Sequence, residues 1–194
     1  MKLAILLLAA LCPLLPVLAK PPNVVIILAD DLGYGDLGCY GHPKFKTPRI
    51  DQMAAEGAKL TQFNTPAPFC APTRASLMTG RYPFRCGMTQ NPAPDGGPNA
   101  DALRMPASEV TLAQVMKAAG YATGMVGKWH LGGGAKFHPT KRGFDEFFGF
   151  LGGQHDYFAP MGILRGTEPA GDKTYHTDAF ARVVDRLLQS PRYG

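Results

Sequence analysis

Three short stretches of this sequence hold the residue types and spacings that could do chemistry. Cys70 lies just ahead of a stretch of helical composition, and Arg74 lies four residues on. A cysteine at the start of a helix sits beside free backbone N–H groups and the positive end of the helix dipole. A thiolate nucleophile is favoured at such a place, and Arg74 can reach back to an anion bound there. Asp30 and Asp31 form the second stretch. Adjacent carboxylates repel unless a positive charge lies between them, and a hard divalent cation held by oxygens answers that need. Ca²⁺ or Mg²⁺ is the natural choice; an acidic turn with one helix cap is the plain alternative. The third stretch is Lys128-Trp129-His130. In an extended chain Lys128 and His130 point to one side, where they suit an anionic ester, the histidine also serving as acid or base. A solvated lysine and a surface histidine are the alternative there, as a buried cysteine beside an exposed arginine is for the first stretch.

The elements around these residues place them at the ends of strands and helices. Residues 23–29 (NVVIILA) are an unbroken apolar run rich in β-branched side chains, which predicts a strand buried on both faces and ending at Asp30. Thr47-Pro48 opens a helix whose Ile50, Met53 and Ala54 share a face, with Gly57 as its stop. Residues 58–64 read as extended, and residues 75–78 as helical with Gly80 as the stop. Residues 83–108 read as a long loop, a linker or a binding loop by composition. A helix over 111–119 and a strand over 121–127 then lead into Lys128. Thr177 caps a last helix with Phe180, Val183, Val184, Leu187 and Leu188 at helical spacing. Strands alternating with helices predict an α/β fold with a mainly parallel sheet flanked by helices, whose ligands sit beyond the carboxyl ends of its strands.

Composition agrees with a globular, loop-rich protein. Of the 194 residues 45% are apolar and 18% charged, which excludes a disordered chain, and the 23 Gly and 18 Pro follow no collagen period. The net charge of +5 is dispersed, so nucleic acid is not an expected partner, whereas an anionic small molecule is compatible with it. Lys2, the apolar run 3–15 and Val17-Leu18-Ala19 predict a Sec-type signal peptide over residues 1–19, and hence a secreted or periplasmic protein with no stable membrane anchor. Removing Cys12 with that leader leaves Cys39, Cys70 and Cys86, an odd number with no zinc-site spacing. Cys39 and Cys86 are open to being a disulfide or two free thiols.

Cys70-Ala-Pro72-Thr73-Arg74 followed by Leu77-Met78-Thr79-Gly80-Arg81 resembles the signature of the sulfatase family. Residues 23–36, with Asp30 and Asp31, resemble the family's opening block; Gly127-Lys128-Trp129-His130-Leu131-Gly132 and the block starting Arg142-Gly143-Phe144 resemble two later ones. The motifs stand in the family's order across residues 22–150. The resemblance implies an alkaline-phosphatase-like fold and a sulfuric ester hydrolase acting on aryl or carbohydrate sulfates. It implies that a maturation enzyme oxidises Cys70, recognised through Pro72 and Arg74, to formylglycine, whose hydrated aldehyde attacks sulfur. It further implies Asp30, Asp31 and the modified Cys70 as Ca²⁺ ligands. Arg74 would orient them, Lys128 would neutralise sulfate oxygens, and His130 would act as the base for sulfate release.

Two departures accompany the resemblance. Family members carry a further aspartate and asparagine on the metal and a further histidine and lysine on the sulfate, and no match to those motifs occurs here. Residues 20–194 therefore read as the amino-terminal part of a catalytic domain, incomplete at the carboxyl end. Thr73 stands where serine is commoner. His155, after the last block, is a candidate substrate contact, with a solvated turn residue as the alternative. A phosphate or phosphonate ester hydrolase of the same superfamily, and an inactive fragment, are the competing functions.

Overall fold

A computed structural model of the protein describes residues 21–92 and 103–193, so the expected leader, Cys12 and part of the 83–108 loop lie outside the described residues. Four helices, α1 (Pro48–Glu56), α2 (Cys70–Thr79), α3 (Leu112–Ala118) and α4 (His176–Gln189), accompany four strands. The strands are β1 (Gly124–Lys128), β2 (Glu146–Phe150), β3 (Leu164–Arg165) and β4 (Glu168–Pro169), ordered β1-β2-β3-β4 in one sheet. β1 and β2 run parallel from Gly124↔Glu146 to Lys128↔Phe150. β3 and β4 form an antiparallel hairpin on β2, so the sheet is mixed, with parallel pairing confined to β1 and β2.

Two apolar clusters hold these elements together. Ala71 and Ala75 of α2 pack with Cys86, Met88, Met105, Trp129 and Leu131, so the segment carrying Lys128 and His130 is clamped against the helix that begins at Cys70. Phe148 and Ile163 pack beneath Ala179 and Val183 of α4, with Phe180 and Leu187 at the edge. The helical spacing at 180–187 thus marks the face of α4 that covers the sheet.

The run 23–29 departs from its expectation. It is not a paired strand among the described residues, and Val24 and Ile27 are 58% and 80% exposed. A strand buried on both faces needs a neighbour on each side, and this run instead borders a cleft beside β1. Likewise Ile50 and Met53 of α1 stay exposed, and residues 58–64 join no strand, with a turn at 61–62. α2 is longer than its composition indicates, because it starts at Cys70. Pro72 is tolerated in a first turn, where its missing N–H has no helical partner to lose, and the Asn91 side chain accepts the Ala71 N–H at 2.9 Å. Cys39 and Cys86 are free thiols.

Local chemistry fixes the geometry of the helix before β1. Thr111 and Gln114 form a reciprocal capping box on α3, and the Thr111 hydroxyl donates to the Arg142 carbonyl at 2.6 Å. Gly143 follows at φ +103°, with its α-carbon so close to α3 that a Cβ would overlap the backbone of Ala113 and Gln114. Gly143→Ala combines a left-handed backbone penalty with overpacking, and is expected to destabilise the protein by about 3 kcal/mol. A urea midpoint lowered at unchanged m-value would check it.

Candidate functional site

The Asp30, Asp31, Cys70, Arg74, Lys128 and His130 side chains, spread over a hundred residues of sequence, converge on one cleft of about 1350 Å³. Cys70 is the first residue of α2, at the positive end of its dipole. One ligand atom each from Asp30, Asp31 and Cys70 lie within 4.8 Å of one another. Arg74, one turn along α2, reaches across the cleft floor: Nη1 donates to the Lys128 carbonyl at 2.6 Å and Nη2 to Asp30 Oδ1 at 3.1 Å. Lys128 Nζ meets the other oxygen of Asp30 at 2.7 Å. Partial burial pushes the Asp30 carboxyl up, but the hydrogen bonds and charges of Lys128 and Arg74 outweigh it and hold the group below the usual carboxylate range.

Lys128 and His130 reach the cleft by different routes. β1 ends at Lys128, so strand alternation does not carry on to His130. Trp129 turns into the core, where its indole N–H donates to the Phe137 carbonyl at 3.0 Å, and His130 takes a left-handed backbone conformation at φ +62°. Asp31 has the same handedness, at φ +57°. They are the two described non-glycine residues with positive φ, and both sit in this cleft. Backbone strain of this kind concentrates where a side chain must be aimed against its local preference.

These residues fit a divalent cation of the hard class. Two carboxylates provide oxygen donors, whereas the Cys70 sulfur is a soft donor that suits Ca²⁺ poorly. An oxygen at that position would make the donor set uniformly hard. The arrangement can therefore bind a cation and hold an anion against Lys128 and His130. It also places the Cys70 sulfur at a helix start.

Comparison with known proteins follows the same residues. The model of the family described as Sulfatase matches residues 22–192, nearly the whole chain. The chain belongs to the sulfatase family. It is 52% identical to human arylsulfatase A over 136 residues, which is 68% of this chain and 25% of that protein. It is also 48% identical to mouse steryl-sulfatase over 144 residues, covering 67% of the chain and 22% of the relative. The chain thus spans about a quarter of the length of the curated relatives it matches. Among solved structures, Ps i-CgsB in complex with k-i-k-neocarrahexaose superposes with a TM-score of 0.80 at 34% identity, over 89% of this chain and 43% of that one. The PsFucS1 sulfatase from Pseudoalteromonas sp. does so with a TM-score of 0.60 at 37% identity, over 71% and 27%. The α/β class and the alkaline-phosphatase-like architecture hold, with helices on a mixed sheet.

Within this sulfatase chain His155 stands apart from the cluster. Its ring nitrogens lie 2.6 Å from the Asp156 carbonyl and 2.7 Å from the Met161 carbonyl, and the ring packs beside Phe150 and His176. It braces the loop after β2 at the cleft rim. Two residues that motif reading passes over matter more to the cluster. Asn91 holds the first turn of α2 next to Cys70. Gly153 comes so close to His130 that a Cβ there would stand 2.6 Å from Nε2. Glycine at 153 makes room for the imidazole, and Gly153→Ala is expected to displace it. A displacement approaching 1 Å at a reacting group costs on the order of 100-fold in rate. Steady-state turnover of an aryl sulfate, with an unchanged thermal midpoint, would show that loss.

Proposed function

We propose that this chain carries the nucleophile and metal-binding half of a sulfuric ester hydrolase site, active on aryl or carbohydrate sulfates. The supporting observation is the meeting of Cys70 with Asp30 and Asp31 within 4.8 Å, beneath the Arg74 and Lys128 contacts to Asp30. Asp30, Asp31 and the group derived from Cys70 would hold Ca²⁺, which supplies positive charge to offset charge developing on the sulfate. A maturation enzyme would convert Cys70 to formylglycine, whose hydrated aldehyde supplies an oxygen nucleophile. Export through the leader at 1–19 would bring the protein to a secreted or periplasmic location. Among the described residues no helix is long and apolar enough to cross a membrane.

The residues of the chain divide the remaining work. Arg74 fixes the carboxylate of Asp30 toward α2 by spanning it and the Lys128 carbonyl. Lys128, with its side chain only 7% exposed, presents a poorly screened ammonium to a sulfate oxygen and to the oxygen of the departing alcohol. His130 lies across the same cleft and accepts the proton whose loss releases sulfate. His155 would have to give up one of its two carbonyl partners before meeting substrate, so its contribution is through the rim loop.

Matched aryl sulfate and aryl phosphate esters test this reading. Release of sulfate is expected to exceed release of phosphate. Faster phosphate release would assign the site to phosphate or phosphonate esters instead.

A further inference from the structure

Residues 83–108 fit a linker or a binding loop by composition, and within their described part, 83–92, Asn91 has a definite partner on α2. That helix starts without the usual cap. Its N-cap residue, Phe69, has no side-chain oxygen, and no side-chain bond is made there. Pro72 in the first turn has no N–H, so Cys70 and Ala71 carry the orphan donors at this helix start. Serine, threonine, aspartate or asparagine normally meets that need from the N-cap position itself. Here Asn91 does so from 20 residues away, its side-chain oxygen accepting the Ala71 N–H at 2.9 Å.

Packing delivers Asn91 to this place. Cys86 and Met88 are buried in one cluster with Ala71 and Ala75, on the helix that Cys70 opens. The Cys86 N–H donates to the Tyr82 carbonyl and the Met88 N–H to the Pro83 carbonyl, both at 3.1 Å, and Gly87 between them is left-handed at φ +69°. The chain thus leaves the core at Met88 and meets the start of α2 at Asn91. Ala71, whose amide it takes, is fully buried, whereas Asn91 is exposed and lines the cleft with Cys70, Arg74 and Lys128. The type of acceptor matters here. An aspartate could accept the same N–H and would suit the helix dipole better. It would also add negative charge to a cleft that already holds Asp30 and Asp31, and like charges there repel an incoming anion. Asparagine gives the acceptor without the charge.

We propose that Asn91 is a positioning residue for the hydrolytic site: a neutral cap, carried by the loop after α2, that holds the group at Cys70 in place and spares the cleft a further carboxylate. It rests on the reading of the cleft as a sulfate ester site, and it adds to that site a residue from outside the motifs.

Asn91→Ala and Asn91→Asp, made in the full chain, separate the cap from the charge. Three quantities are read: hydrogen exchange of the Ala71 amide, calorimetric binding of inorganic sulfate, and kcat and KM for an aryl sulfate. Asn91→Ala is expected to speed Ala71 exchange about ten-fold and to lower kcat about ten-fold, with KM and sulfate binding within about two-fold of the parent. Asn91→Asp is expected to return Ala71 exchange and kcat to within about three-fold of the parent, and to weaken sulfate binding and raise KM about five-fold. Unchanged exchange in Asn91→Ala would show that the bond caps nothing, and would overturn the proposal. So would sulfate binding in Asn91→Asp equal to the parent's, because the charge would then be immaterial. A kcat in Asn91→Asp as low as in Asn91→Ala, with exchange restored, would show that the cap does not hold the reacting group, and would overturn it too. Equal weakening of sulfate binding in both variants would make Asn91 an anion contact instead of a cap. A parent that binds sulfate without turnover removes the hydrolase reading alone, since exchange and binding still decide the role of Asn91. Turnover in the parent with unchanged exchange in Asn91→Ala removes the cap alone.

Discussion

Replacing Cys70 with alanine is expected to abolish ester hydrolysis and leave the fold standing. The half-buried side chain opens α2, where alanine is an excellent helix former, and the packing below it comes from Ala71 and Ala75. The thermal midpoint should therefore stay within a few degrees of the parent, on the order of 1 kcal/mol or less. Turnover should fall by on the order of 10⁴-fold or more, since loss of a covalent nucleophile leaves only binding and electrostatic stabilisation by the remaining groups. Mass spectrometry of the parent peptide bearing Cys70, from a host with the maturation machinery, should show an aldehyde oxygen in place of sulfur. A parent that is active with an intact thiol would remove formylglycine from the mechanism. Thr73, in the serine-favoured position, turns its hydroxyl away to the Ala67 carbonyl at 2.9 Å, so the exchange for serine leaves Cys70 itself untouched.

The candidate site was legible because three of its residues adjoin stretches with a local signature. Asp30 follows an apolar run, Cys70 opens a helix, and Lys128 closes a strand. The α4 face was legible for the same reason, since helical spacing is written within a few residues, although the helix begins at His176, ahead of the expected cap at Thr177. What escaped depends on partners far along the chain. Whether 23–29 is a paired strand depends on its neighbours, and residue identity alone cannot supply them. The left-handed turn at His130 follows the buried Trp129, and the fit of Gly153 against that imidazole joins two loops. The β3–β4 hairpin did carry a local signal. Gly166-Thr167 separates its two strands, and glycine first in a two-residue connection favours a tight hairpin turn.

Asp30 and Asp31 are expected to respond differently to neutralisation, although both belong to the proposed cation site. Asp30 is the hub of the cluster, joined to Lys128 Nζ at 2.7 Å and Arg74 Nη2 at 3.1 Å, in addition to its place beside Cys70. The side chains of Lys128 and Arg74 are 7% and 11% exposed, and Asp30→Asn deprives both of their counter-charge. Because Asp30 itself is 43% exposed, water softens that loss to about 1 kcal/mol. Its thermal midpoint should fall by a few degrees even with a chelator present. In Asp31→Asn these ion pairs remain, so its midpoint in chelator should match the parent. Both variants should weaken Ca²⁺ binding in calorimetric titration, by on the order of 10- to 100-fold. Both should also lower turnover by roughly 10²- to 10³-fold, the loss typical of removing one stabiliser of developing charge. Equal midpoints for the two variants in chelator would show that the Lys128–Asp30–Arg74 contacts contribute nothing to the fold. Undiminished Ca²⁺ binding in both would remove the carboxylate pair from the metal site.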